Sequence, residues 1–127
     1  MTLVVDGMNV IGSRPDGWWR DRTGAALRLA ERLATLAATR PDEVVLVLDG
    51  RPSERLGEGE RDGVRVLFAS RRGPDAADDR IVELVEAAAE PGAIVVATSD
   101  HALAARVSAA GAEVLTAGAL LRLLDQG

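Results

Sequence analysis

Three aspartates that each follow an apolar run are the residues of this sequence best suited to chemistry. They are Asp6, Asp49 and Asp100. If the apolar runs are parallel strands joined by helices, their carboxyl ends share one edge of a sheet, where α/β proteins bind their ligands. Carboxylate oxygens are the ligands that Mg²⁺ and Mn²⁺ prefer, and Mg²⁺ usually keeps several waters. The pattern therefore predicts a divalent-metal site at that edge.

A fourth carboxylate is expected from the helix that begins near Asp75. Asp75, Asp78 and Asp79 all lie at its start, and the sequence leaves open which of them faces the edge. Asp78 would complete the cluster if this helix starts at the same edge of the sheet. A metal held by these acids could generate hydroxide and shield the charge that develops on a phosphate. The chemistry that this arrangement suits is phosphodiester hydrolysis.

Each of these acids also has an ordinary structural alternative. An Asp followed by Gly, as at Asp6 and Asp49, is a turn signal. Asp100 is well placed to cap the helix that follows it, and Asp75 with Asp78 resembles a capping box. The metal site is favoured because three of the acids end strands at one predicted edge.

Polar residues beside the acids are candidates for supporting roles. Asn9 lies three residues after Asp6, where its amide could orient a ligand carboxylate or a water, or could cap a turn. Thr98 and Ser99 could hydrogen-bond a phosphate or a metal-bound water. For Ser99, helix capping is the stronger single expectation.

Loop arginines and a tryptophan pair are the candidates for gripping a nucleic acid. Trp18 could stack on a base, or could cover apolar surface together with Trp19. Loops that flank the predicted edge carry Arg51, Arg55, Arg71 and Arg72. Such cations could hold a phosphate backbone, although neighbouring acidic residues dilute the patch and a solvated surface is the alternative.

Composition excludes several other classes of protein. The fifteen basic residues are all arginine, and a P-loop needs a lysine. The absence of cysteine removes disulfides and thiolate metal sites, and a single histidine, His101, rules out a zinc site made of several histidines. A net charge of -5 argues against strong non-specific nucleic-acid binding but not against a nucleic-acid substrate, because a metal inverts the field of an acidic site.

Length and hydrophobic periodicity predict the elements that position these residues. The 127 residues predict one domain over 1–127. Strands are expected at 2–6, 43–49, 64–69, 93–97 and 113–116, helices at 22–39, from 75 onward, 101–110 and 118–125, and mostly loop at 11–23 and 50–63. This order predicts a three-layer α/β/α sandwich with a five-stranded sheet. No apolar run approaches the roughly 20 residues of a membrane span and no leader follows Met1, so a cytoplasmic location is expected.

Four ordered motifs resemble the YacP-like branch of the NYN domains, within the PIN-like nuclease superfamily. They lie at residues 4–12, 47–50, 77–81 and 97–100. The resemblance spans roughly residues 3–124. It implies a parallel sheet with strand order 3-2-1-4-5 and a ribonuclease site that depends on Mg²⁺ or Mn²⁺.

The resemblance also implies roles by position. Asp6 and Asp100 would be the central metal ligands, Asp78 the helix-borne acid and Asp49 a supporting acid. Asn9 would be the polar partner of Asp6. The sets predicted are Asp6, Asp78, Asp100 and Asn9 for catalysis, Asp6, Asp49, Asp78 and Asp100 for the metal, Thr98, Ser99 and Asp79 as support, and Arg51, Arg71, Arg72 and Trp18 for RNA.

The predicted function is metal-dependent endoribonuclease activity on RNA, with an association with the ribosome among the expected partnerships. The chain is expected to act as a monomer or a weak homodimer. The alternative is a module of the same fold that docks on RNA or on a ribosome without cleaving it. A phosphatase of the haloacid dehalogenase kind is disfavoured, because Met8 stands where such an enzyme carries its second aspartate.

Overall fold

The computed structural model describes residues 1–69, 72–73 and 75–126. The strands are β1 (Thr2–Asp6), β2 (Glu43–Leu48), β3 (Gly59–Arg61), β4 (Val64–Phe68), β5 (Ile94–Ala97) and β6 (Glu113–Leu115). The helices are α1 (Gly7–Gly12), α2 (Arg22–Ala38), α3 (Ala76–Ala87), α4 (His101–Ala109) and α5 (Ala117–Gln126). Short 3-10 turns cover Trp18–Arg20 and Pro91–Ala93. Within the described ranges, no helix is long and apolar enough to cross a lipid bilayer.

The sheet has the strand order β3-β4-β2-β1-β5-β6. Strand β1 lies in the middle and pairs in parallel with β2 and β5, and the β2–β4 and β5–β6 pairs are parallel as well. Strand β3 pairs antiparallel with β4 at one edge. The predicted α/β class is confirmed. The five predicted strands all form and lie parallel in the predicted order 3-2-1-4-5, as β4, β2, β1, β5 and β6. The prediction of five strands, all parallel, is wrong only at one edge, where antiparallel β3 makes the sheet of the described residues six-stranded and mixed.

The additional strand comes from a tight hairpin that the sequence analysis missed. Asp62 and Gly63, which join β3 to β4, both have positive φ angles of 50° and 84°. This is the conformation of a two-residue type I′ turn, for which Asp-Gly is a preferred pair. Because β3 carries no apolar side chain, the hydrophobic pattern gave no sign of a strand, and residues 50–63 were expected to be mostly loop.

Helices cover both faces of the sheet, and each face has its own core. Leu3 and Val5 of β1 point to the core that contains the buried faces of α1, α2 and α5. Val4 points to the opposite core, which contains the buried faces of α3 and α4. The inner strands are apolar on both sides for this reason, as is usual for parallel strands covered by helices on two faces.

Helix α1 begins directly after β1, where a loop was expected to follow. A Cβ atom at Gly7 would lie 2.9 Å from the carbonyl oxygen of Val47 and 2.6 Å from Cδ2 of Leu48. Only glycine lets the helix start this close to β2. Val10 and Ile11 then bury their side chains, so packing stabilises a helix of six residues that would not form alone.

Candidate acidic site

Asp6 occupies the centre of the predicted edge, at the end of the middle strand. Only 5% of the residue is exposed, and its Oδ2 accepts a hydrogen bond of 2.8 Å from Thr98 Oγ1. Although Asp6 stands at the N-cap position of α1, its side chain makes no capping bond. The turn-and-cap alternative therefore does not account for this carboxylate.

The pKa of Asp6 is raised to about 6. Burial is the main cause, because it disfavours the charged form, while the hydrogen bond from Thr98 acts in the opposite direction. The negative charges of Asp78, Asp49 and Asp100 raise this pKa further. The structure thus brings the other three predicted acids within electrostatic reach of Asp6.

Asp100 combines a capping role with its place at the site. Its Oδ1 accepts hydrogen bonds from the backbone N–H groups of Ala102 at 2.9 Å and Leu103 at 3.1 Å, which caps helix α4. Its own N–H donates to Thr98 Oγ1 at 3.1 Å. The structural alternative for Asp100 is real, but it does not exclude a ligand role, since an ionised carboxylate has about four acceptor positions.

Asn9 and Ser99 connect the end of β5 to two helices. The N–H of Ser99 donates to Asn9 Oδ1 at 2.8 Å, and Ser99 Oγ accepts from the N–H of Ala117 at 2.9 Å. Ser99 therefore binds the first residue of α5, whereas the sequence analysis favoured the helix directly after it. The amide oxygen of Asn9 accepts this bond from the backbone, and its NH₂ group is left to donate to a ligand or to a carboxylate.

Of the three acids at the start of α3, Asp78 is the one coupled to the site. It is half-buried, and burial followed by the charges of Asp100, Asp75 and Asp49 raises its pKa. Asp79 instead accepts a hydrogen bond of 3.0 Å from Arg106 Nη2. Asp75 is exposed and makes no side-chain capping bond, so the capping box that was the structural alternative for Asp75 and Asp78 is not formed.

Asp49 lies at the rim of the site, after β2. Partial burial raises its pKa, and the nearby guanidinium of Arg22 opposes that shift. Asp49 lines two adjoining clefts of about 250 and 370 Å³, and Arg22 lines both of them as well. Sequence reasoning missed Arg22. The available signal was a cation at the first position of α2, where the helix dipole disfavours positive charge.

The predicted RNA-binding residues have different environments. Arg51 and Arg72 both line the larger cleft beside Asp49, whereas Arg71 lies outside the described residues. Arg55, a further candidate from the sequence, forms a bidentate ion pair with Asp21, with both N–O distances at 3.0 Å. Its charge is therefore neutralised away from the clefts.

Trp18 is half-buried against the apolar core on the α2 side, whereas Trp19 is 53% exposed. The two rings meet edge to face with centroids 5.8 Å apart, and the guanidinium of Arg22 lies 5.8 Å from the centroid of Trp18. Trp18 thus holds Arg22 beside Asp49 through a cation–π contact.

The donor atoms of the site suit a hard divalent cation. Neighbouring acids raise the pKa values of Asp6 and Asp78, because like charges are crowded together, and a cation would relieve that repulsion. Among the residues that the structure describes, no three His, Cys, Asp or Glu side chains form a ready-made group able to hold a metal ion. Mg²⁺ does not require one, because it is commonly bound through one or two carboxylates with waters and substrate phosphates completing the shell.

The sequence profile described as the YacP-like NYN domain matches residues 3–127, so the chain belongs to this nuclease-type family. Among curated protein sequences, none matches at a significant level.

Two crystal structures of Rae1 (YacP) from Bacillus subtilis resemble the chain closely. One is a tryptophan-to-leucine variant, with a TM-score of 0.80 and 27% identity over 98% of this chain and 75% of that one. The other has a TM-score of 0.74 and 27% identity over 99% of this chain and 74% of that one.

Proposed function

We propose that this protein is a cytoplasmic endoribonuclease that hydrolyses RNA phosphodiester bonds with the help of Mg²⁺ or Mn²⁺. The observation that carries the proposal is the position of Asp6. This carboxylate is buried at the end of the central strand, makes no capping bond, and lies in the field of three further acids. A structural role alone would not require so costly a burial of charge. Membership in a nuclease-type family supports the same reading.

The side chains of the site would divide the work as follows. Asp6, Asp78 and Asp100 would hold the ion, one or two of them directly and the rest through its bound waters, with Asp49 supporting from the rim. When bound, the ion would activate a water and shield the charge that develops on the phosphate.

Thr98 fixes the orientation of the Asp6 carboxylate through its hydrogen bond, and Asn9 fixes the position of the Ser99 backbone. Arg51 and Arg72 would position the sugar-phosphate strand in the cleft beside Asp49.

The test is cleavage of a labelled mixed-sequence RNA in Mn²⁺ and in EDTA. Asp6→Asn and Asp100→Asn should abolish the metal-dependent cleavage, while both proteins remain folded because asparagine can accept the same hydrogen bonds. Asp62→Asn is the matched control. Asp62 is exposed in the β3–β4 turn, where asparagine tolerates the positive φ angle as well as aspartate does. Cleavage that survives both site variants would refute this assignment.

A second candidate is a module that docks on RNA or on a ribosome without cleaving. The absence of a ready-made group of three metal-binding side chains within the described part of the chain favours it. Such a module would bind RNA equally well in Mn²⁺ and in EDTA and would release no product. Product release by the wild type, lost in Asp6→Asn, would exclude this candidate.

A further inference from the structure

A pocket of about 250 Å³ opens beside Asp49 and has an apolar floor. The floor consists of Met8, Ala26, Leu48, Leu56 and Phe68. The rim is polar and includes Arg22, Thr23, Asp49, Arg51 and Ser53. A small pocket with an apolar floor and a few polar groups at its mouth is the general form of a ligand site.

Specific contacts hold the chain segment that forms one wall of this pocket. Arg55 is paired with Asp21 at the start of α2. On the other side, Glu58 Oε1 accepts a hydrogen bond of 3.0 Å from the N–H of Phe68 at the end of β4.

Within the same segment, the N–H of Ser53 donates to the carbonyl of Leu56 at 2.9 Å, in a turn that buries Leu56. The pocket is therefore formed before any ligand arrives, which reduces the entropy lost on binding.

The charges at the mouth of the pocket suit a nucleotide. Arg22 and Arg51 both line the rim, and neither takes part in the ion pairs found among the described residues. The same two arginines continue into the larger cleft that Arg72 lines, so cations follow one path past Asp49. A phosphodiester backbone on this path would place a base over the apolar floor, and stacking on an aromatic surface such as Phe68 is favourable for every base, with a modest preference set by the stacking strength of each.

We propose that this floor pocket binds one unpaired base of the RNA strand, next to the phosphate at the acidic site. The inference rests on the proposed function and deepens it, since it assigns single-stranded RNA as the substrate and a base preference to the pocket. The base must be unpaired, because a base inside a duplex is stacked on its neighbours and cannot lay its face on a protein surface. The base at this position would select where the strand is cleaved.

Methionine methyl NMR can test the pocket without any catalytic turnover. The chain has two methionines, of which Met8 lines the pocket and Met1 is 65% exposed at the N-terminus. In protein labelled at the methionine methyl groups, in EDTA, one or more of the four nucleoside 5′-monophosphates should shift the Met8 signal saturably below about 10 mM. Ribose 5-phosphate, which has the phosphate but no base, should leave it unmoved. Met1 is the internal control.

A substitution that fills part of the pocket provides a second test. Thr23→Leu enlarges a half-buried side chain at the mouth and should weaken the nucleotide affinity at least about tenfold. Thr35→Leu, at an exposed position on the same helix, is the matched control and should change nothing. The proposal fails if no monophosphate shifts Met8, if ribose 5-phosphate shifts it equally, or if Thr23→Leu binds as the wild type does.

Cleavage patterns separate this proposal from the nuclease assignment. If the wild type cleaves RNA, Thr23→Leu should reduce the preference for particular bases next to the cleaved bond. Cleavage by this variant should still depend on Mn²⁺. An unchanged preference in Thr23→Leu would refute the pocket and leave the nuclease standing. A wild type that binds nucleotides at Met8 but cleaves no RNA would support the pocket and refute the nuclease.

Discussion

Replacing Asp6 with asparagine should make the metal-free protein more stable at neutral pH. Burial and neighbouring acids raise the pKa of Asp6 from 3.8 to about 6, so the ionised form is disfavoured in the folded state. Asparagine carries no charge, and its amide oxygen can still accept the hydrogen bond from Thr98 Oγ1. The substitution therefore removes an unfavourable charge and keeps the favourable contact.

The size of the effect follows from the shift in pKa. Because the folded state binds the proton more tightly than the unfolded chain, this contribution to stability is present below pH 3.8 and is lost as the pH rises through about 6. The whole shift corresponds to about 3 kcal/mol. Between about pH 4.5 and pH 7.5, the free energy of unfolding of Asp6→Asn should gain about 2 kcal/mol relative to the wild type.

Urea unfolding in EDTA at the two pH values is the measurement, with Asp62→Asn as the control. The control should show no such pH-dependent gain, because Asp62 is exposed at the opposite edge of the sheet. Added Mn²⁺ should then stabilise the wild type more than Asp6→Asn, since only the wild type keeps the central carboxylate. If the advantage of Asp6→Asn is the same at both pH values, the pKa of Asp6 is not raised and the reasoning is refuted.

Substitutions at four positions test the structural contacts around the site. Asp100→Ala should cost about 1 kcal/mol of stability relative to Asp100→Asn, because alanine cannot cap α4. Both variants should lose cleavage. Equal unfolding midpoints in urea would contradict the capping contribution. Gly7→Ala should destabilise by about 1–3 kcal/mol, because its Cβ would press on the Val47 carbonyl, and a native-like melting temperature would refute that contact. Trp18→Ala should destabilise the fold by more than about 1 kcal/mol while Trp19→Ala stays within about 0.5 kcal/mol, as thermal unfolding followed by circular dichroism can show.

The sequence predicted those parts of the site that follow from strand order. The positions of Asp6, Asp49 and Asp100 could be predicted because the end of an apolar run marks the end of a buried strand. The carboxyl ends of parallel strands lie at the same edge of the sheet. The spacing of residues in the sequence could not show which of Asp75, Asp78 and Asp79 faces the site. That choice depends on the rotation of α3 about its axis, which is fixed by packing of residues such as Ile81 against the sheet and by the pairing of Asp79 with Arg106.

The elements that were missed are short or polar. Helix α1 has six residues, two of them glycine, and its stability comes from contacts with β2, α2 and α5 that no local pattern records. Strand β3 shows no hydrophobic alternation and is defined by its pairing with β4 and by the Asp-Gly turn. The arginines at the rim of the clefts were only partly predicted. Arg55 was a candidate from the sequence, but it pairs with Asp21. Arg22 was not a candidate, yet it lies against the Trp18 ring and lines both clefts.

The three residues after β5 each bind a different part of the fold. Thr98 binds β1 through Asp6, Ser99 binds α1 through Asn9 and α5 through Ala117, and Asp100 binds α4. Loops of most proteins accept inserted or deleted residues. Here, inserting or deleting one residue would move each of these side chains away from its partner. The acids would be displaced, and the helices would lose their capping bonds at the same time. The length of this segment is therefore as much a part of the site as the identity of its aspartate.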